Sequence, residues 1–339
     1  MDSWLRGLPK IELHVHLDGS LRPKTVRDLA KKLPADRRFP RGFDPIEAVT
    51  HPNRGTLESY LEAFDVTLRL LQDEGALERV ARELCEDAAV ENVHYIEVRF
   101  APLLHTEAGL KPRDVVAAVL RGMRQAEADH SIHSGLILTA LKQEPTERSM
   151  EVGQLTAQFA GKGVVGFDLA GSERLYPPLL HRATVEFVHA AGVHLTIHAG
   201  EACCPEQIRE ALDLGADRIG HGVHLFEDPQ TEKRVRESRI PLEICPTSNL
   251  QTTAFMSDYK DHPVGRYIEL GIPISINTDN RLMSEVDLTH EFEKIVHAFS
   301  LDREAVRSIL LDTADAAFCS ESLKAKLRDR VRSAFSGDA

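Results

Sequence analysis

Short apolar runs rich in β-branched residues recur eight times along the chain, and the sequence between them has the spacing of amphipathic helices. The eight runs are IELHVHL (11–17), VHYIEVRFAP (93–102), HSGLILTAL (133–141), GVVGFDLAG (163–171), GVHLTIHAGE (192–201), DRIGHGV (217–223), IPLEICPTSN (240–249) and IPISINTDN (272–280). Such runs are typical of buried strands in a parallel sheet. Strands that alternate with helices form right-handed βαβ units, and eight units predict a (β/α)8 TIM barrel. A doubly wound open sheet is the alternative, but no Gly-x-Gly-x-x-Gly motif follows the first run.

The longest interval between predicted strands, residues 18–92, indicates a helical insertion after strand 1. Within it, TLESYLEAFDVTLRLL (56–71) has helical spacing, with Thr56 as a candidate N-cap and Glu58 in the first turn. We expect this insertion to lie over the barrel mouth. Residues 287–335 predict C-terminal helices. No linker or repeat interrupts the pattern, so we expect a single domain over residues 1–339.

Composition restricts the possible partners. The chain has 339 residues, 42% of them hydrophobic, which is enough for one large core. Its net charge of −12 argues against a nucleic-acid backbone or a membrane surface as partner, because both bind clustered Lys and Arg. The five cysteines fit no disulfide framework, and MDSWLRGLPK at the N-terminus has no signal-peptide core. We therefore expect a cytoplasmic protein that acts on a small molecule; the sequence predicts no oligomeric state.

Two histidines stand two residues apart on the first predicted strand. Because side chains alternate along a strand, His14 and His16 point to one face, while Leu13, Val15 and Leu17 point to the other. The pair is either part of a metal site or a pair of hydrogen-bonded polar groups at a strand end.

Residues with ligand or acid–base chemistry stand at the predicted carboxyl ends of the strands, where a barrel of this kind builds its active site. They are His14, His16, Asp18, Asp168, Gly171, His198, Glu201, His221, Thr247, Ser248, Asn249, Thr278, Asp279 and Asn280. Three histidines with an aspartate suit a borderline cation such as Zn²⁺. Glu201, three residues after His198, is a candidate general acid or base. His221, between two glycines, can orient or deprotonate a water molecule.

Several of these residues also have a purely structural interpretation. His221 can be a hydrogen-bonded loop histidine, and Asp279 and Glu201 can each cap a following segment. We expect His194, on the same face as His198, to be an interior barrel residue, and we assign His262 to surface or packing. The functional interpretation is favoured because the candidates occupy equivalent strand ends.

Six motifs, HVHLDGS, VVGFDLAG, HAGE, GHGV, PTSN and INTDN, resemble in sequence and order those of the adenosine deaminase family of the amidohydrolase superfamily. The resemblance implies one zinc ion per chain, held by His14, His16, His198 and Asp279. It also implies that Glu201 donates a proton to purine N1 and that His221 lies beside the attacking water. The substrate contacts that it implies are His16, Asp18 near the ribose, Gly171 and Asn280, beneath an apolar gate of Leu57, Tyr60, Leu61 and Phe64.

One position departs from many members of that family. Asn280 stands where they have a second aspartate that contacts purine N7. The HLDG form of the first motif is similar to the nucleoside-using branch, whereas members that use free adenine tend to have glutamate where Asp18 stands. Related bacterial members deaminate 6-aminodeoxyfutalosine, so the resemblance leaves that substrate open.

The sequence therefore predicts zinc-dependent hydrolytic deamination at C6 of an adenine nucleoside, converting adenosine or deoxyadenosine to inosine or deoxyinosine with release of ammonia. The alternatives are a 6-aminodeoxyfutalosine deaminase, an adenine deaminase and, from another class, a non-catalytic nucleoside-binding barrel. A two-metal barrel is disfavoured because FDLAGSE carries no lysine at the end of strand 4. A cytidine-type deaminase needs His-x-Glu with Pro-Cys-x-x-Cys, a pairing that this sequence lacks.

Overall fold

The computed structural model describes residues 3–50 and 55–336, and its strands form one eight-stranded parallel sheet in chain order. The strands are β1 Lys10–His16, β2 Val93–Phe100, β3 His133–Leu141, β4 Val164–Ala170, β5 His194–Ala199, β6 Arg218–His221, β7 Leu242–Ile244 and β8 Ile274–Ile276. The two edges of the sheet meet where Asp279, just after β8, bridges to Val15 on β1. The backbone N–H of His16 donates to the carbonyl of Asp279 at 2.7 Å, and that of Asp279 donates to the carbonyl of His14 at 3.0 Å. The predicted TIM barrel is confirmed.

Helices fill the intervals between the strands and extend beyond the last one. They are α1 Ser3–Gly7, α2 Pro23–Lys32, α3 Pro45–Val49, α4 Leu57–Leu61, α5 Phe64–Leu70, α6 Glu74–Val90, α7 Pro112–Asp129, α8 Thr146–Phe159, α9 Arg182–Ala190, α10 Pro205–Asp213, α11 Pro229–Ser238, α12 Pro246–Thr252, α13 Val264–Glu269, α14 Leu288–Phe299, α15 Arg303–Ala316 and α16 Glu321–Phe335. Short 3₁₀ helices lie at Ala35–Arg37, Pro102–His105, Pro178–His181, Val223–Glu227 and Tyr259–Asp261. Of the described helices, none is long and apolar enough to cross a bilayer.

The insertion after β1 is helical as predicted, but residues 56–71 form two helices instead of one. Thr56 caps α4, its hydroxyl accepting a hydrogen bond from the N–H of Ser59 at 3.2 Å. Between α4 and α5 the backbone N–H of Ala63 bonds to the carbonyl of Tyr60, and that of Val66 to Ala63. These i→i+3 bonds tighten the chain and separate the two helices.

The predicted runs for strands 7 and 8 extend beyond the carboxyl ends of β7 and β8, and His194 lies at the amino end of β5, away from the predicted site. Pro246 begins α12 directly after β7, because proline is favoured in the first turn of a helix. Thr247, Ser248 and Asn249 therefore stand on α12. The expectation that His194 is an interior residue is wrong: it begins β5, is exposed, and stacks on Phe318 with 4.5 Å between ring centroids.

A layer of paired charges fills the barrel beneath the carboxyl ends of the strands. Arg218 donates to Glu243 at 2.6 Å and pairs closely with Glu97, and Arg99 donates to Glu243 at 2.8 Å. All four side chains are buried. A buried charge without a partner costs free energy of folding, so each charge in this layer depends on its neighbours. The layer lies directly beneath the predicted site.

Candidate active site

Four of the predicted ligands converge on one point at the carboxyl end of the barrel. The Nε2 atoms of His14 and His16 lie 3.4 and 3.3 Å from Oδ1 of Asp279. The Nε2 atoms of His16 and His198 are 3.3 Å apart. The Nε2 of His14 is buried and has no hydrogen-bond partner. Strand alternation on β1 thus brings His14 and His16 to one cluster, as the sequence predicts.

Two buried carboxylates set the hydrogen positions on two of these rings. The Nδ1 of His14 lies 2.8 Å from Oε2 of Glu243, and the Nδ1 of His198 lies 3.0 Å from Oδ1 of Asp168. An ionised carboxylate only accepts, so each Nδ1 carries the hydrogen and each Nε2 presents a lone pair to the cluster. Lone pairs and a carboxylate that face one another at these distances repel unless a cation lies between them. The donor set fits a metal ion of the zinc type.

The pKa values of the cluster agree with a site built for a cation. Burial lowers the pKa of His16 to about 3 and also lowers that of His198, so both rings are neutral. Burial opposes ionisation of Asp279, but the adjacent imidazoles, above all that of His14, hold its pKa well below the ordinary value. Burial and the charge of Arg99 disfavour a charge on His14, yet the nearby carboxylates of Asp279 and Glu243 raise its pKa. Neutral imidazoles and an ionised carboxylate are the protonation states in which these residue types bind a metal ion.

The backbone at two site residues is strained. His221 and Asp279 have positive φ angles of 64° and 59°, values that non-glycine residues adopt only when surrounding contacts enforce them. For Asp279 those contacts are the bridge to β1 and a 2.5 Å hydrogen bond that its Oδ2 accepts from Ser248.

Glu201 follows β5 in a turn held by another carboxylate. The backbone N–H groups of Glu201, Ala202 and Cys203 donate to Oε2 of Glu173 at 3.1, 2.9 and 3.2 Å. Burial, followed by the charges of Asp279 and Glu173, raises the pKa of Glu201 well above its ordinary value. Glu201 is not the N-cap of α10, which is Cys204. A carboxyl group with a raised pKa keeps its proton to higher pH than an ordinary glutamate, which suits it to act as an acid.

A cavity opens directly above the cluster. Its lining combines polar site residues with the predicted apolar gate: His16, Leu57, Tyr60, Leu61, Phe64, Ala170, Gly171, His198, Glu201, His221, Asp279 and Asn280. Gly171 has φ of +92°, and a Cβ there would lie 2.2 Å from Oε1 of Gln143, so this position requires glycine. The structure thus brings the two catalytic candidates, three of the four metal candidates and the gate to one cavity.

Two of the residues to which the family resemblance assigns a role lie outside that lining. His14 stands beneath it in the barrel. Asp18 is buried, its Oδ1 has no hydrogen-bond partner, and its Oδ2 lies 3.6 Å from Nε2 of His105.

Four residues with a role in this geometry were missed in the sequence or dismissed: Glu173, Glu243, Cys245 and His262. The Sγ of Cys245 lies within 4.8 Å of ligand atoms of His221 and Asp279. His262, assigned to surface or packing, is buried and bonded to Asn249. A signal existed for Glu243, because a charged residue inside the apolar run IPLEICP is unusual.

Comparison with known proteins agrees with this geometry. The adenosine deaminase family model matches residues 9–334. An adenosine deaminase of Clostridium perfringens is 42% identical over 327 residues, which are 96% of this chain and 98% of that protein. The structure of an Arabidopsis N6-mAMP deaminase has a TM-score of 0.89 at 30% identity, covering 97% of this chain and 99% of that chain. An amidohydrolase from Burkholderia ambifaria with bound Zn has a TM-score of 0.90 at 26% identity, covering 98% and 91%.

Proposed function

This chain belongs to the adenosine deaminase family, hydrolases that deaminate adenine nucleosides, and we propose that it removes the C6 amino group of a purine nucleoside with one zinc ion per chain. The observation that carries the proposal is the convergence of three imidazole nitrogens and a carboxylate at the floor of one cavity, with the buried carboxyl group of Glu201 beside them.

In this proposal His14, His16, His198 and Asp279 hold the metal. The unpartnered Nε2 of His14 supports it, as does the tautomer that Glu243 and Asp168 impose on two of the rings. When bound, a zinc ion supplies a nucleophilic water at neutral pH.

The protein's own groups carry the proton transfer. Glu201 donates its proton to purine N1, which makes C6 more electrophilic. The oxygen of the water bonds to C6 and the bond from C6 to the amino nitrogen breaks. One proton of the water leaves with the ammonia, and the other restores the carboxyl group of Glu201, whose own proton stays on N1. His221 lies 3.6 Å from Glu201, measured from Nε2 to Oε2, and acts beside the attacking water. The apolar gate of α4 and α5 excludes bulk water from the cavity. The dielectric constant around Glu201 and His221 is therefore low, which strengthens their electrostatic interactions with the substrate.

Three further residues orient the substrate. Gly171 and Asn280 line the cavity, so that the amide of Asn280 can donate to purine N7. The unpaired Oδ1 of Asp18 is an acceptor for a sugar hydroxyl. A nucleoside is therefore preferred over free adenine, because adenine would leave that buried oxygen unpaired.

The proposal is tested by metal analysis and a substrate panel. We expect about one zinc per purified chain, where two would favour a two-metal barrel and none a non-catalytic binder. The panel contains adenosine, deoxyadenosine, adenine, 6-aminodeoxyfutalosine, AMP and N6-methyl-AMP, followed spectrophotometrically. We expect the highest kcat/KM with adenosine or deoxyadenosine. A higher value for adenine than for every nucleoside would contradict the role of Asp18.

We also propose that the enzyme works in a reducing cellular compartment. The five cysteines are free thiols, two of them adjacent at Cys203 and Cys204 beside Glu201. Free thiols persist in a reducing compartment, and we place the enzyme in the cytoplasm with a small purine compound as its partner.

A further inference from the structure

A chain of three buried side chains leads from a backbone amide to the ring of His221. The N–H of Val264 donates to Nδ1 of His262 at 3.0 Å. A backbone amide is always a donor, so this nitrogen of His262 must be the acceptor. The ring is neutral, because burial lowers the pKa of His262 to about 3. Its hydrogen is therefore on Nε2.

That hydrogen determines the orientation of Asn249. The Nε2 of His262 lies 3.1 Å from Oδ1 of Asn249, which accepts the bond. The amide of Asn249 then turns its Nδ2 to Nδ1 of His221, 3.0 Å away. The reverse orientation of the amide would point two N–H groups at each other across the contact with His262. Side-chain amide orientation is ordinarily ambiguous, but here the backbone amide of Val264 removes the ambiguity.

The same reasoning then applies to the ring of His221. Its Nδ1 accepts a hydrogen bond from Asn249, so a neutral ring carries its hydrogen on Nε2. A ring whose Nδ1 accepts a hydrogen bond cannot also carry a hydrogen there, so the imidazole of His221 is neutral as long as the bond from Asn249 is in place. All three side chains are inaccessible to solvent, so no water competes for these bonds.

We infer that Asn249 and His262 hold His221 as a hydrogen-bond donor at Nε2, so that His221 orients the attacking water and stabilises the oxygen that it becomes, and does not remove the water's proton. The inference rests on the proposed function and narrows it. His221 touches the reacting atoms in this scheme, whereas Asn249 and His262 are positioning residues that act through it. A general base would need the Nε2 lone pair, which this tautomer does not have.

The substitution Asn249→Asp tests the assignment with almost no change of shape. Aspartate offers acceptors to both neighbours, so His221 is expected to move its hydrogen to Nδ1 and present a lone pair at Nε2. We expect kcat to fall ~10²-fold, the loss typical of removing one donor from a developing oxyanion. KM is expected to change less than about threefold, because the donor acts mainly in the transition state.

The matched control is His262→Gln. A glutamine amide still donates to Oδ1 of Asn249, so kcat should stay within about fivefold of wild type if donation is what matters. His262→Leu removes that donor and should lower kcat further. If Asn249→Asp fails to fold, this pair decides the question: equal kcat values for Gln and Leu would overturn the inference.

NMR spectroscopy reports which ring nitrogen of His221 carries the hydrogen, and it does so without measuring turnover. Long-range ¹H–¹⁵N correlation spectra of ¹⁵N-histidine-labelled zinc enzyme distinguish a protonated from an unprotonated ring nitrogen, and the His221 signals are assigned by their loss in His221→Gln. We expect hydrogen on Nε2 in wild type and on Nδ1 in Asn249→Asp. Hydrogen on Nδ1 in wild type would overturn the inference even if the enzyme deaminates nucleosides. Failure to deaminate any compound of the panel would instead overturn the proposed function.

Discussion

Oε2 of Glu243 lies 2.8 Å from Nδ1 of His14 and accepts a hydrogen bond from it, so the fourth residue of the run IPLEI determines which nitrogen of His14 faces the metal site. The same carboxylate also accepts hydrogen bonds from Arg99 and Arg218. The side chain of Glu243 therefore both stabilises the barrel interior and orients a ligand of the candidate metal centre.

Removing this carboxylate should weaken metal binding and folding together. We expect Glu243→Leu to lower zinc affinity 10–100-fold, because His14 loses the partner that sets its tautomer. Unfolding should become easier by about 3–5 kcal/mol, because two buried arginines each lose one of their two carboxylate partners. Competition with a zinc chelator and denaturant unfolding measure the two effects. Glu186→Leu, which removes an exposed carboxylate on α9, is the control.

The ligand assignment predicts opposite effects for neighbouring histidines. His198→Ala and Asp279→Ala should each lose zinc and activity together, because each removes a bond to the metal. His221→Ala should lose activity and keep zinc. Metal content by elemental analysis, measured together with kcat, decides the assignment. Loss of zinc in His221→Ala with retention of zinc in Asp279→Ala would mean that His221, and not Asp279, is the metal ligand.

Glu201→Gln should lower kcat at least ~10²-fold, the usual contribution of a positioned general acid. Glutamine keeps the shape and offers no transferable proton, so zinc content and the melting temperature are expected to stay near wild type. Steady-state kinetics with adenosine measure the effect. Turnover near the wild-type value would remove Glu201 from the mechanism.

The raised pKa of Glu201 predicts the direction of the pH dependence. Its protonated form is the active one, so kcat/KM should fall as the pH rises through the pKa of Glu201, which lies well above that of an ordinary glutamate. The charge of Glu173 contributes to that raised value. Glu173→Gln should therefore move the alkaline limb to lower pH, whereas Glu186→Gln should leave it in place. An unshifted limb in the Glu173 variant would argue against Glu201 as the titrating acid.

Asn280→Leu tests the contact with purine N7. The loss of one buried hydrogen-bond partner is expected to cost about 1–3 kcal/mol of transition-state stabilisation. A 7-deaza substrate, with C–H in place of N7, should react poorly with wild type and be discriminated much less by the variant. If both enzymes discriminate equally, the coupling energy is zero and Asn280 does not contact N7.

The order of the elements and most of the residues that line the candidate site could be predicted from local sequence pattern. Period-two alternation on β1 places His14 and His16 on one face because a strand can present its side chains in no other way. Alternation of strands and helices leads to a parallel barrel, and a parallel barrel gathers its strand ends at one rim. For that reason residues as distant along the chain as His16 and Asp279 were expected together before any distance was known.

Only the tertiary structure decided what each site residue is bonded to. The boundary of β7 depended on where Pro246 could begin a helix, and the position of His194 depended on which end of β5 it occupies. The tautomer of His14 depends on Glu243 and that of His221 on Asn249 and His262, partners that no spacing rule relates to them. Hydrogen-bond partners across a barrel are set by the packing of distant strands, whereas periodicity reports only which face a side chain takes.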